Sequence, residues 1–242
     1  MNKETAPKFL CVDELRLSYP GTDGLVVDVQ HIEAGAGSRI AVTGPSGSGK
    51  TSLIYLLTGI ENADGGHIMW DGVDISMLDQ VKRDRWRRQN VGFIFQDFNL
   101  VSGMSVIQNV LISCFFSQLR PTAKDKARAH RLLDSVCISS REGDVARLSR
   151  GEMQRVAIAR ALMQAPKIII ADEPTASLDA VTASKIIDLL INSSIAAGTT
   201  LLAVSHDKEL VDAMEACWTM EAGRLLSIDN HGNSNFGTSP TG

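Results

Sequence analysis

The chain has 242 residues, 44% of them hydrophobic, and a formal net charge of −4. This is enough for one α/β domain with a buried core, and the acidic balance argues against a globally basic protein, so no nucleic-acid partner is expected. The cysteines are scattered with no CxxC pair, which favours small core residues in a reducing cytosol over disulfides or a metal site; they are Cys11, Cys114, Cys137 and Cys217.

The N-terminus and the apolar runs predict a cytosolic chain. The first ten residues, MNKETAPKFL, lack the apolar stretch of a signal peptide. No apolar run approaches the roughly 18 to 20 residues that cross a bilayer. We therefore expect the chain to reach a membrane only by docking on another protein.

The first elements are predicted to be strands. FLCVDELRLSY and GLVVDVQHI alternate polar with β-branched or other apolar residues, and SRIAVTG is a short apolar strand. KTSLIYLLTGI is then an apolar helix that ends near Gly59. GHIMWDGVDI reads as a strand with an Asp-Gly turn, and VGFIFQ as a buried strand that ends in Gln96.

From about residue 97 to 165 the pattern becomes helical, as in SVIQNVLISCFF and AKDKARAHRLLDSV. KIIIADE is a continuous apolar run of the kind found in parallel strands buried on both faces. It is followed by the helix TASKIIDLLINSS, the strand TTLLAVSHD and a hairpin around Ala222-Gly223. The polar tail 229–242 is predicted to be disordered. The chain thus has an α/β core with a helical insertion.

The turn GPSGSGKTSL follows the apolar run RIAVT and matches the P-loop pattern of glycine, four residues, then Gly-Lys-Ser/Thr. Its glycines let successive backbone N–H groups surround an anion at the start of a helix. Lys50 is predicted to reach the β- and γ-phosphates and the Thr51 hydroxyl to bind Mg²⁺. A plain glycine-rich turn is the less favoured alternative. The predicted nucleotide contacts are Gly44, Pro45, Ser46, Gly47, Ser48, Gly49, Lys50, Thr51 and Ser52.

KIIIADE places Asp172 and Glu173 at the end of the buried strand. Asp172 suits Mg²⁺ binding, and Glu173 would orient or deprotonate the attacking water. The alternative is an ordinary acidic strand end, or a helix N-cap before Pro174. The P-loop earlier in the chain favours the catalytic interpretation.

Four further stretches occur in order, and each is weak alone. FIFQDFNL supplies Gln96 and LLAVSHD supplies His206, both at strand ends, where such residues are usually structural. LSRGEMQRVAIARAL begins at Leu148, and its Ser149 and Glu152 also fit a capping box. PTASLDA follows Glu173 closely.

Together, over residues 8–228, these stretches resemble the nucleotide-binding subunit of a bacterial-type ATP-binding cassette (ABC) transporter. The resemblance implies an α/β P-loop NTPase core with a mostly parallel sheet, an N-terminal antiparallel β-subdomain and an inserted α-helical subdomain at about 97–165. It implies an ATPase that uses ATP and Mg²⁺. A GTPase would need an Asn-Lys-x-Asp motif, which NKET near the N-terminus does not provide, and a small-molecule kinase would not use LSRGE or PTASLDA.

The resemblance also assigns roles to single residues. Gln96 is the Q-loop glutamine, which binds Mg²⁺ and links the water to the membrane partner, and His206 contacts the γ-phosphate. Tyr19 stacks on adenine, with an ordinary strand-end aromatic as the alternative. LSRGE is the signature motif, and Ser177, Leu178 and Asp179 form the D-loop. The nucleotide contacts implied outside the P-loop are Tyr19, Ser149, Gly151, Glu152 and Asp179.

The family works as a head-to-tail dimer of cassettes, with each ATP between the P-loop of one chain and the signature motif of the other. The resemblance therefore implies a second cassette, expected to be identical, and a membrane-spanning subunit on a separate chain. This places the protein on the cytoplasmic, inner face of the cell membrane. Phe98 and Leu100 either contact the membrane subunit or pack in the core.

One position departs from the family pattern, since Arg150 stands where the signature motif has its first glycine. A cation in the first turn of a helix opposes the helix dipole by up to about 1 kcal/mol. Arg150 is either a tolerated, solvent-facing substitution or a residue that contacts nucleotide or partner across the dimer.

Within the family, GPSGSGKTSL, VGFIFQDFNL and SVIQNVL look most like the ATPases of the macrolide-exporter, lipoprotein-release and cell-division group. PTASLD departs from the PTGNLD or PTGALD of that group. The alternatives are the ATPase of a solute importer, a soluble ABC protein, and a regulatory module without turnover.

Overall fold

The computed structural model describes residues 8–21, 24–116, 120–139 and 141–230. They form two compact units: the described residues up to Arg87 together with those from Thr200 onward, and Arg88–Thr199. The strands are β1 (Lys8–Leu17), β2 (Val27–Gly35), β3 (Arg39–Thr43), β4 (Gly65–Trp70), β5 (Val73–Asp74), β6 (Val91–Ile94), β7 (Ile168–Asp172), β8 (Thr200–Val204), β9 (Ala216–Glu221) and β10 (Arg224–Asn230). The helices are α1 (Lys50–Leu57), α2 (Gln80–Asn90), α3 (Val106–Leu111), α4 (Ala123–Ser135), α5 (Arg150–Ala161), α6 (Ala180–Ala197) and α7 (Lys208–Asp212).

The first unit holds an antiparallel sheet in the order β2-β1-β4-β5. Strand β1 alternates as far as Asp13, so that Leu10 and Val12 are buried while Cys11 and Asp13 lie on the other face. The alternation is interrupted at Glu14, which has a positive φ, and resumes with the buried Leu15. The sheet is tied to the helix after the glycine turn, because the Trp70 indole N–H donates to the Leu57 carbonyl at 2.7 Å. This bond from a buried side chain joins the antiparallel sheet to the end of helix α1.

The same unit contains parallel pairs on both sides of β3. Val42 pairs with Val204 of β8 and with Trp218 of β9, and all three are buried. Strand β10 closes this set by pairing antiparallel with β9. The glycine turn thus leaves a strand that is covered on both edges.

The second unit contains the parallel pair β6 and β7 and the helices α3 to α6. Helix α4 is bound to the end of α5, since the Arg128 guanidinium donates to the Leu162 and Met163 carbonyls at 3.0 and 2.9 Å. The buried Asn109 side chain holds the loop before α3 through both the N–H and the carbonyl of Val101. The predicted helical subdomain at 97–165 lies within this unit and includes α3, α4 and α5.

The predicted α/β fold class is confirmed, and the predicted strands and hairpins are present. Two tight turns have left-handed residues at both central positions, Asp71-Gly72 and Ala222-Gly223, as two-residue hairpins require. Helix α2 and the short α7 were not predicted from the sequence. Strand β10 continues to Asn230, two residues into the predicted tail, and the rest of that tail, 231–242, lies outside the described residues.

Two expectations from composition need correction. Cys114 and Cys217 are buried as expected, but Cys137 is exposed and Cys11 is only partly covered. Helix α6, with 18 residues and a mean hydropathy of 1.3, has the length and composition of a membrane span. It also contains Lys185 and Asp188, and its buried residues form a stripe at helical spacing, as in core-facing helices: Ala183, Ile186, Ile187, Leu190 and Ser194.

Candidate functional site

The glycine turn between β3 and α1 forms a cradle around the Lys50 ammonium group. Lys50 is only 8% exposed, and its Nζ donates to the carbonyls of Gly44 and Pro45 at 2.8 and 2.9 Å. Helix α1 begins after Gly49 without a side-chain cap and without an acidic residue in its first turn. Its first N–H groups and the lysine therefore favour an anion at this place.

The hairpin between β9 and β10 supports the turn from behind. The Gly223 N–H donates to the Ser48 carbonyl at 3.0 Å. A Cβ atom at Gly44 would lie 2.0 Å from the Met220 carbonyl oxygen, and one at Gly49 would lie 2.5 Å from the Val26 carbonyl oxygen. These two glycines are therefore required by close backbone approach as well as by their positive φ angles.

Two other predicted residues lie in the same unit as the turn. The Tyr19 hydroxyl is 3.5 Å from the Ser52 hydroxyl of α1, and the Tyr19 side chain is partly exposed. Strands β3 and β8 run parallel with Val42 opposite Val204, so Gly44 and His206 each stand two residues beyond this pair. The first unit thus gathers Tyr19, the P-loop and His206.

The second unit gathers the remaining predicted hydrolysis residues. Strands β6 and β7 run parallel with Ile94 opposite Ala171. Gln96 and Glu173 each follow this pair by two residues, and Asp172 is the last residue of β7. Because parallel strands end at one edge of a sheet, the amide and the two carboxylates share that edge.

The predicted capping box at the start of α5 is present. The Glu152 N–H donates to the Ser149 hydroxyl at 3.3 Å, while the Ser149 hydroxyl and N–H donate to the Glu152 carboxylate at 2.7 and 2.8 Å. These hydrogen bonds stabilise the charged carboxylate and keep the pKa of Glu152 below its usual value of 4.5. The bond from the Ser149 hydroxyl has the larger effect and the bond from the Ser149 N–H the smaller one. Arg150, the next residue after the cap, is exposed.

Helix α5 packs closely against the first turn of α6. Asp179 caps α6 by accepting from the Thr182 N–H at 3.0 Å. A Cβ at Gly151 would lie 2.6 Å from the Thr182 methyl carbon, so only glycine fits there without a shift. The predicted signature and D-loop residues are therefore neighbours in the second unit.

Residues 28–176, more than half of the chain, match the family described as ABC transporter. The chain belongs to this family. It is an ATP-binding and ATP-hydrolysing cassette.

Relatives cover nearly the whole cassette. It is 40% identical over 220 residues to the lipoprotein-releasing system ATP-binding protein LolD 1 of Rhodopirellula baltica. The matched region covers 90% of this chain and 96% of that protein. It is 38% identical over 210 residues to the methionine import ATP-binding protein MetN of Caulobacter vibrioides, covering 86% of this chain and 61% of that protein. The dimeric cassette MJ0796, bound to ADP and phosphate, superimposes with a TM-score of 0.81 at 26% identity, covering 93% of this chain and all of that one.

The structure also identifies a supporting residue of the cassette that the sequence analysis missed. The Arg160 guanidinium, near the end of α5, donates to the Phe98 carbonyl at 2.6 Å and to the Asn99 carbonyl. Arg160 thereby fixes the segment that follows Gln96. A cationic residue within an otherwise apolar stretch, VAIARAL, was the available signal.

For Phe98 itself the structure favours core packing, since the side chain is 7% exposed. Leu100 is partly exposed and remains the better placed of the two for a contact with another protein.

Proposed function

We propose that this cassette is the ATPase of a complex of the lipoprotein-release type, driving export or conformational work across the membrane through a separate membrane subunit. The observation that carries the proposal is the 40% identity to LolD 1 over 96% of that protein's length. The sequence resemblance to the macrolide-exporter, lipoprotein-release and cell-division group agrees with it.

The P-loop supplies the binding half of the proposed cycle. Lys50 now bonds to carbonyls of its own loop, and the γ-phosphate would replace these acceptors with a charged one. The buried Ser48 hydroxyl has no hydrogen-bond partner among the described residues, which fits a loop built around an additional polar ligand. Tyr19, whose hydroxyl lies 3.5 Å from the Ser52 hydroxyl, would stack on adenine.

Glu173 is proposed to orient and deprotonate the water that attacks the γ-phosphate. His206 is proposed to donate to the phosphate oxygens, and Gln96 to sense the reacting group. The residues proposed to hold Mg²⁺ are Thr51, Gln96 and Asp172, whose hydroxyl, amide and carboxylate oxygens are ligands that this hard cation accepts. Bound there, Mg²⁺ would neutralise charge on the phosphates.

We further propose that two copies assemble head to tail. Ser149, Gly151 and Glu152 would then approach the γ-phosphate held by the partner's P-loop, with the N-terminus of α5 directed at the anion. ATP would favour the closed dimer because it contacts both halves, and hydrolysis would remove that preference. The dimer would sit at the cytoplasmic face of the cell membrane, bound to its membrane subunit.

The proposal is tested by capturing the Glu173→Gln variant from detergent-solubilised membranes of the native host, with ATP present. We expect a partner with about four membrane helices and a large outer domain, as in the export and mechanotransmission group. A parallel capture with Lys50→Ala, which should not bind ATP, separates ATP-dependent partners from background.

The second candidate is a solute importer, which the 38% identity to the methionine import protein MetN supports. In that case the same capture would recover a permease with many membrane helices and a solute-binding protein. Recovery of that set would overturn the lipoprotein-release proposal and leave the ATPase assignment intact.

A further inference from the structure

Four side chains with metal-binding atoms meet on the outward face of the antiparallel sheet. Cys11 and Asp13 lie two residues apart on β1 and so point to the same side. Asp13 pairs with His31 of β2, and Cys11 pairs with Glu33. The register therefore brings two residues of β1 beside two residues of β2, and we call these four residues the block: Cys11, Asp13, His31 and Glu33.

The side chains of this block are already in contact. His31 Nδ1 lies 2.6 Å from an Asp13 carboxylate oxygen, and the other Asp13 oxygen lies 3.4 Å from the Cys11 sulfur. One ligand atom each from Cys11, Asp13 and His31 can be chosen so that all three lie within 4.8 Å of one another. Ligand atoms of a tetrahedral zinc ion, with bonds of about 2.0 to 2.3 Å, are separated by about 3.3 to 3.8 Å.

We propose that Cys11, Asp13 and His31 bind a divalent transition-metal ion of the zinc class. A thiolate sulfur, an imidazole nitrogen and a carboxylate oxygen form the mixed ligand set that zinc accepts, whereas Mg²⁺ and Ca²⁺ require oxygen ligands. The thiolate and the carboxylate together offset the two positive charges of the ion. Three protein ligands leave a fourth position for water or another ligand.

Glu33 is placed to orient the histidine. His31 Nε2 lies 2.7 Å from a Glu33 carboxylate oxygen, so with Nδ1 on the metal the opposite ring N–H would donate to Glu33. This carboxylate–histidine–metal arrangement fixes both the tautomer and the ring orientation. Lys8 also contacts Glu33 and offsets its charge.

The block is accessible and extends onto the next strand. The Asp13 and His31 side chains are 51% and 43% exposed, so both can shift by the distance that coordination requires. On β4, His67 lies opposite Asp13 and Met69 opposite Cys11. Further nitrogen and sulfur donors thus border the proposed site, which is separate from the P-loop.

The test uses the full-length protein, reduced and free of nucleotide, titrated with Co²⁺ as a spectroscopic probe and then with Zn²⁺. We expect one Co²⁺ per chain, a thiolate-to-cobalt charge-transfer absorption, and loss of that absorption when Zn²⁺ is added. Cys11→Ser should abolish the absorption. Cys137→Ser, which removes an exposed cysteine elsewhere, should retain it.

The histidine is tested in the same way. His31→Gln should weaken Zn²⁺ binding by at least about 100-fold, and Glu33→Gln by about 10- to 100-fold, while His130→Gln should have no effect. Retained ATP hydrolysis will show that each variant is folded. The proposal is overturned if wild-type protein gives no charge-transfer absorption with cobalt in large excess, or if the absorption persists in Cys11→Ser.

Discussion

Glu173 and Gln96 each follow the paired residues Ala171 and Ile94 by two positions. If Glu173 is the base, Glu173→Gln should lower kcat for ATP hydrolysis by about 100- to 10,000-fold, because the amide cannot accept a proton. The dissociation constant for ATP should change little, since the P-loop is untouched. Steady-state hydrolysis and binding of a fluorescent ATP analogue measure the two quantities, and turnover within a fewfold of wild type would exclude Glu173 as the base.

Gly44 allows a second prediction at the level of single residues. Gly44→Ala would put a methyl group 2.0 Å from the Met220 carbonyl oxygen, whereas a Cβ at Gly47 meets no heavy atom within 4 Å. Both glycines have positive φ, so each alanine incurs a backbone cost of about 1 to 3 kcal/mol, and Gly44→Ala has the steric cost in addition.

Urea unfolding without nucleotide should therefore show Gly44→Ala to be clearly the less stable of the two variants. Equal stabilities would mean that the β9–β10 hairpin can shift away from residue 44 without a cost in stability. Close approach to Met220 would then not constrain this position.

Among the elements, α5 and α3 both begin with a capping box, but with different partners. Ser149 is paired with Glu152, and Ser105 with the uncharged Gln108. Replacing either serine by alanine should cost about 0.5 to 2 kcal/mol at pH 7. The pKa of Glu152 is lowered in the fold, so its contribution is complete above its usual value of 4.5 and is lost as the pH falls through the folded value.

The cost of Ser149→Ala should consequently shrink below about pH 4.5, while the cost of Ser105→Ala should stay constant. Denaturant unfolding of wild type and both variants from pH 7 down to about pH 3, below the usual carboxyl pKa, measures this difference. A parallel decrease in both variants would show that acid acts on the whole protein and not on the Glu152 cap.

The elements that the sequence predicted are those with a strong local signal. The capping box at Ser149 and the Asp71-Gly72 turn follow from residue chemistry alone. Helix α2 was missed because none of its residues is buried, so it has no apolar periodicity. Helix α6 was predicted as a helix. Its length and composition match those of a membrane span, although no apolar run of that length was predicted from the sequence.

The residues of the candidate site likewise include some with a local sequence signal and some without one. The P-loop is a contiguous motif, so its residues were predictable. The Arg160 contact with residues 98–99, and the Gly223 contact with Ser48, join positions far apart in the chain. The proposed metal site at Cys11, Asp13 and His31 depends on strand register, which composition does not specify, and Cys11 was consequently predicted to be a core residue.

At the scale of the whole molecule, the proposed head-to-tail dimer has a consequence for mixtures of variants. Each composite site would use the P-loop of one chain and the signature serine of the other. Lys50→Ala disables the first contribution, and Ser149→Arg, at an exposed position, disables the second. Each variant alone should then hydrolyse ATP poorly, because both sites of its homodimer are damaged.

Mixing the two variants should restore activity. In the mixed dimer one site carries both changes, but the other combines the intact P-loop of the Ser149→Arg chain with the intact signature motif of the Lys50→Ala chain. Random pairing makes half of the dimers mixed, each with one of two sites intact, so the equimolar mixture should recover about a quarter of wild-type activity if the sites work independently. A steady-state ATPase assay over a range of mixing ratios measures this, and recovery should peak at equal amounts. If each chain instead completed its own site, no ratio would exceed the activity of the separate variants, and the head-to-tail arrangement would be wrong.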